Sequence, residues 1–147
     1  MLLGDRSERK EGGFVHVLIV EENSIFREAF RGEILRRFPF ILLQEAKDSG
    51  EAMEKIRRMP PDLIFMDICL PGVNGLQLTH RIKVNFPNIR VAMLTGYDFS
   101  EYRRAASESG ADRYFVKDSI DWKEVEALIQ SIPKYDSVRH GSLIAGG

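Results

Sequence analysis

Short apolar runs and helix-period stretches alternate along the chain from Phe14 onward. "FVHVLIV" (Phe14–Val20) is brief, β-branched and nearly all apolar, the pattern of a strand covered on both faces. From Ser24 the period changes. Phe26, Ala29, Phe30, Ile34 and Phe38 form a helical stripe, with Arg27, Glu28, Arg31, Arg36 and Arg37 mainly off it and Ser24 as the expected N-cap. "ILLQEA" (Ile41–Ala46) predicts a second strand, and "SGEAMEKIRRM" a helix that stops before Pro60-Pro61. "DLIFM" reads as a third strand, "GLQLTHRIKVNF" as a helix ended by Pro87, and "IRVAMLT" (Ile89–Thr95) as a fourth strand. "SEYRRAASESG" predicts a helix with Gly110 as its C-terminal cap. "RYFVK" is a fifth strand, and "DWKEVEALIQSI" a final amphipathic helix before Pro133.

Five strands interleaved with five helices imply an α/β fold. It should be a single parallel sheet, covered on both faces and joined by right-handed crossovers, over residues 14–132. The opening "MLLGDRSERKEGG" turns polar after Leu3, too soon for the apolar core of a signal peptide, so Met1–Gly13 is expected to be a disordered leader. The stretch 133–147, "PKYDSVRHGSLIAGG", is too short for a further domain and reads as a tail or linker.

Composition narrows the field without choosing within it. The 147 residues suit one domain with a substantial core. A net charge of −1 supplies no global field toward nucleic acid or acidic membranes. The single cysteine, Cys69, excludes an internal disulfide and a multi-cysteine zinc site, as expected of a protein in a reducing cytoplasm. No apolar stretch approaches the length of a membrane span.

The chemistry should lie outside the carboxyl ends of the strands, where ligands bind in an open α/β sheet. Strand one ends in Glu21-Glu22, strand three in Asp67, strand four in Thr95 and strand five in Lys117. Strand two is expected to deliver nothing comparable. Two carboxylates about 4 Å apart repel by roughly 4 kcal/mol at an effective dielectric of 20, so this cluster calls for a cation. Lys117 offsets part of the repulsion. Mg²⁺ is the natural complement, because it accepts one or two carboxylates, keeps waters and bridges to phosphate oxygens. Beside such cations Asp67 stays ionised and could attack a phosphoryl group, with Thr95 and Lys117 of the right types to hold the added oxygens.

These residues resemble a known family, the receiver domains of two-component response regulators. "VLIVEEN", "LIFMDICLPGVNG", "VAMLTGYD" and "YFVKDS" match its motifs in order and spacing, over roughly Val15 to Ile132. "TGYDFSEYRRAASESGADRYFVKDS" is most similar to the subfamily that precedes LuxR-type helix-turn-helix output domains. The resemblance implies a flavodoxin-like sheet of order 2-1-3-4-5. It implies that Asp67 accepts a phosphoryl group from a histidine kinase or phosphotransfer protein. It also implies that Glu22, Asp67 and the main-chain carbonyl of Cys69 hold Mg²⁺, with Glu21 acting nearby or through water. Thr95 and Lys117 would bind the phosphoryl oxygens, and Tyr114 matches the aromatic residue that swings inward on activation.

Two departures from the family pattern stand out. Glu21-Glu22 replaces the usual Asp-Asp or mixed pair, and each extra methylene carries a carboxylate outward by something over 1 Å. Asp118 follows the lysine where many receivers have proline, although the LuxR-type subfamily often lacks it too. The glutamate pair keeps an alternative open: a degenerate receiver serving as a phosphorylation-independent interaction module. A phosphohydrolase using Asp67 as nucleophile is less favoured, since haloacid-dehalogenase-type enzymes want a second acid where Cys69 stands. Direct binding of nucleic acid through this domain is not expected, because Glu28 and Glu33 interrupt the arginines of the first helix, which read as a solvated face. His16, His80 and His140 lie on different elements and form no set. A homodimer is possible, with the helix at Ser100–Ser109 and the last helix as candidate surfaces.

Overall fold

The computed structural model describes residues 13–135. The expected leader, apart from Gly13, and the tail beyond Tyr135 lie outside the described residues. Five strands, β1 (His16–Val20), β2 (Leu42–Ala46), β3 (Leu63–Asp67), β4 (Arg90–Thr95) and β5 (Arg113–Val116), form one sheet in the order β2-β1-β3-β4-β5. Every neighbouring pair is parallel. Five α-helices connect and follow them: α1 (Ser24–Arg37), α2 (Ser49–Arg58), α3 (Gly75–Asn85), α4 (Ser100–Ser109) and α5 (Trp122–Gln130). This is the doubly wound sheet expected from the alternating pattern.

Side-chain alternation along the strands divides the core into two layers. Val17 and Ile19 of β1, Leu63 and Phe65 of β3 and Phe115 of β5 pack with Phe30 and Ile34 of α1 and Val125 and Ile129 of α5. Leu18, Val20, Ile64, Met66 and Met93 pack on the opposite face with Ile56 of α2, Leu78 and Ile82 of α3 and Ala106 of α4. Each such fully buried large apolar side chain contributes about 1.5–3 kcal/mol, so the layers hold the strand ends in fixed register.

Local signals locate most helix ends. Asp48 and Asn74 accept hydrogen bonds from the N–H groups of Glu51 and Gln77, capping α2 and α3. Gly110 closes α4 in the left-handed conformation, at φ 103°, as expected. The start of α1 differs from expectation: Asn23, not Ser24, is the N-cap, its side-chain oxygen accepting from Phe26 N–H at 3.0 Å. Asparagine caps as well as serine does, and this shift leaves Ser24 as the first helical residue. Of the predicted α1 stripe, Phe30, Ile34 and Phe38 are buried, whereas Ala29 is exposed. Past Ile132 the chain remains packed as far as Tyr135, which is buried against Phe38 and Phe40.

Candidate functional site

The strand alternation that builds the core also aims the polar residues. Glu21, Asp67 and Lys117 continue the rows begun by Ile19, Phe65 and Phe115, so all three emerge on the α1–α5 side. Thr95 continues the row of Met93 and leaves on the side of α3 and α4. The strand order reverses between β1 and β3, and the acids lie at that switch point.

Glu21 is almost completely enclosed, at 1% exposure, and Asp67 is at 4%. Glu21 Oε2 accepts a hydrogen bond from Asn23 N–H at 3.0 Å. Its other oxygen, Oε1, lies 2.8 Å from Lys117 Nζ in a charge contact and takes no hydrogen bond. Asp67 Oδ1 accepts from Cys69 N–H at 3.1 Å and stands 3.6 Å from Lys117 Nζ. Lys117 itself begins the 3-10 turn Lys117–Ser119 instead of ending β5. Burial first, and then the adjacent Glu21 carboxyl, push the Asp67 carboxyl up to about 7, while Lys117 and Cys69 N–H pull less strongly the other way. One lysine therefore serves two buried acids.

The remaining expected residues surround this pair. An open depression of about 690 Å³ lies above Asp67, lined by the Glu21–Ile25 turn, Cys69, Gly96, Tyr97 and Lys117. Glu22 is exposed on its rim, and the Cys69 side chain is exposed beside it. Thr95 is not joined to Asp67 or Lys117. Its buried Oγ1 accepts from Tyr97 N–H at 3.1 Å. Tyr97 in turn accepts, through its carbonyl, a hydrogen bond from the half-buried Tyr114 hydroxyl at 2.7 Å. Burial raises the Tyr114 phenol, and the nearby Thr95 side chain opposes that rise. The Arg103 guanidinium lies 4.6 Å from the centre of the Tyr114 ring and is ion-paired to Asp98 at 2.7 Å. Thr95 and Tyr114 are thus linked around Tyr97.

Among the described residues, no group of three or more His, Cys, Asp or Glu side chains is placed to hold a metal ion. Mg²⁺ needs no such cage, since it is bound through one or two carboxylates and retains water. Glu21 Oε1, a buried carboxyl oxygen without a hydrogen bond, is the kind of donor that fits a hard divalent cation beside Asp67.

Two further contributors were not legible in the motifs. Strand two does supply a relevant residue: Glu45 of β2 accepts from Arg27 Nε at 3.0 Å, and Arg27 Nη1 donates to the Glu21 carbonyl at 2.7 Å. Arg27 is therefore part of the site's support and not of a solvated arginine face. Gly75, the first residue of α3, is pressed on the main chain of the acceptor strand. A Cβ there would meet the Asp67 carbonyl oxygen at 2.0 Å. A glycine opening a helix just after its Asn cap is the one sequence signal for this approach.

A family model, the response regulator receiver domain, matches residues 17–130. The chain belongs to the response regulator receiver family. Among relatives of this receiver domain is the response regulator protein VraR of Staphylococcus saprophyticus, 33% identical over 116 residues, covering 78% of this chain and 54% of that protein. Another is the transcriptional regulatory protein DegU of Brevibacillus brevis, 26% identical over 118 residues, covering 80% of this chain and 48% of that protein. The chain spans about half the length of the curated relatives it matches. Among solved structures, a LuxR-family two-component response regulator from Aurantimonas sp. SI85-9A1 is 28% identical with a TM-score of 0.72, covering 89% of this chain and 99% of that one. This receiver domain is a signalling domain of the two-component response regulators, with LuxR-type relatives. No helix among the described residues is long and apolar enough to cross a membrane.

Proposed function

We propose that this receiver domain is a cytoplasmic phospho-accepting switch in which Asp67 takes a phosphoryl group from a phosphohistidine. The donor is a histidine kinase or a phosphotransfer protein. An Asp67 carboxylate oxygen forms the new bond to phosphorus as the bond from phosphorus to the imidazole nitrogen breaks. The single observation that carries this reading is the buried Asp67 at the end of β3, with Glu21 and Lys117 gathered around it. Mg²⁺, bound by Glu22, Asp67 and the Cys69 carbonyl with Glu21 close by or through water, would neutralise charge on the phosphoryl oxygens.

Lys117 and Thr95 then supply the donors for the added oxygens, so Thr95 Oγ1 must leave Tyr97 N–H and turn toward Asp67. Tyr114, linked to the same Tyr97, follows by swinging into the space vacated. Only a differential affinity of a partner or second copy for the two arrangements passes the signal on. The α4–β5 face that carries Arg103 and Tyr114 would be the surface that changes. Digestion after incubation with acetyl phosphate and Mg²⁺, with borohydride to trap the acyl phosphate, tests the assignment. Label confined to residue 67 supports it, and label elsewhere removes it.

A second reading, a phosphorylation-independent interaction module, is favoured by one feature. Lys117 is nearer to Glu21 than to Asp67, which already gives the unmodified site a cation.

A further inference from the structure

We infer that Arg27, anchored by Glu45, is a positioning residue for the Glu21-Glu22 acid pair, and that it sets how well this pair holds a divalent cation. The inference rests on the metal-binding reading given above. Arg27 leaves the first turn of α1 and folds back over the loop that precedes it. Its Nη1 donates to the Glu21 carbonyl at 2.7 Å and reaches the Glu22 carbonyl at 3.5 Å. Its Nε is held by Glu45 Oε1 at 3.0 Å. Glu45 is itself fixed, because Oε2 pairs with Arg31 Nε at 3.1 Å and its carbonyl accepts from Lys55 Nζ.

The acid pair is thereby clamped from two sides. Glu21 N–H donates to the Ala46 carbonyl of β2 at 2.9 Å, while the Glu21 carbonyl is tied, through Arg27, to the neighbouring residue of the same strand. A glutamate has one more rotatable bond than an aspartate, so its carboxylate wanders further for a given uncertainty in its main chain. Mg²⁺ tolerates little such wandering, because it demands near-ideal octahedral geometry. A rigid main chain is what lets a Glu-Glu pair serve. Arginine is suited to the task, since its planar fork bonds a carboxylate and a carbonyl at once.

The test is Mg²⁺ titration by calorimetry on the full chain and its variants, with metal-free thermal midpoints recorded alongside. Arg27→Met keeps much of the apolar stem and removes the fork. It should weaken Mg²⁺ binding by roughly tenfold or more, the usual cost of losing an outer-shell support. Glu45→Gln should weaken it less, and Arg27→Met combined with Glu45→Gln should be no worse than Arg27→Met alone. Arg36→Met, on the same helix but paired, among the described residues, only with Glu33, should leave the affinity unchanged and serves as the control. An Arg27→Met protein that binds Mg²⁺ like the parent overturns the positioning role alone. A parent that binds no Mg²⁺ overturns the metal reading and this inference with it.

Discussion

Lys117 Nζ lies 2.8 Å from Glu21 and 3.6 Å from Asp67, so the lysine sits closer to the supporting acid than to the proposed acceptor. It comes from beyond β5 and reaches across the end of β4 to the acid that ends β3 and the one just past β1. Removing it as Lys117→Met leaves two enclosed carboxyls with no cation. Loss of one partner from a buried ion pair costs about 3 kcal/mol or more. Denaturant unfolding at pH 8 should show that loss, and at pH 5, where the Asp67 carboxyl holds its proton, part of it should disappear. Equal destabilisation at both values would mean that packing and not charge is the lysine's contribution.

The pH dependence of the metal-free protein should carry the mark of Asp67. Its carboxyl is raised from the ordinary 3.8 to about 7 by burial and Glu21. The folded protein therefore keeps a proton that the unfolded chain releases. The stability this supplies is fully present below about pH 4 and is lost as pH rises toward 7. Asp67→Asn cannot lose a proton there. Its stability relative to the parent should improve across that interval by on the order of a few kcal/mol. Parallel curves for the two proteins would contradict the assignment.

Gly75→Ala tests the approach of α3 to the acceptor strand. The new methyl would stand 2.0 Å from the Asp67 carbonyl oxygen and 2.9 Å from Ile68 Cα, both main-chain atoms that cannot rotate aside. A loss of about 3 kcal/mol or more in unfolding free energy is expected, at the upper end of overpacking costs. Gly32→Ala, in α1 with open space around it, is the matched control and should be neutral or stabilising.

Tyr114→Phe removes the hydroxyl that donates to the Tyr97 carbonyl at 2.7 Å. A net hydrogen bond is worth about 1 kcal/mol, so the inward position of the ring should gain about fivefold relative to the outward one. Aromatic ring signals of residue 114 in solution spectra should shift toward those of the phosphorylated parent. Spectra unchanged from the unphosphorylated parent would show that this bond does not hold the ring out.

The central strands β1, β3 and β4 were legible because each is a short, mainly apolar run buried on both faces. Asp67 and Lys117 were legible because strand ends and turn residues mark where the sheet stops. Thr95 was read at its correct strand end, but not its attachment to Tyr97, which depends on the parity of a single residue in β4. Arg27 and Glu45 were not legible. An arginine within an alternating charge pattern reads as solvated, and only the return of β2 alongside β1 brings Glu45 beneath it. Glu21 and Glu22 look equivalent in sequence, yet the first is enclosed and the second exposed, because successive residues at a strand end leave on opposite sides.

The measurement that bears first on the switch is the intact mass of the protein after incubation with acetyl phosphate, with and without Mg²⁺ and with Asp67→Asn alongside. A gain of one phosphoryl group that requires Mg²⁺ and is absent from Asp67→Asn is the expected result. No gain at any Mg²⁺ concentration, or an equal gain in Asp67→Asn, would contradict it.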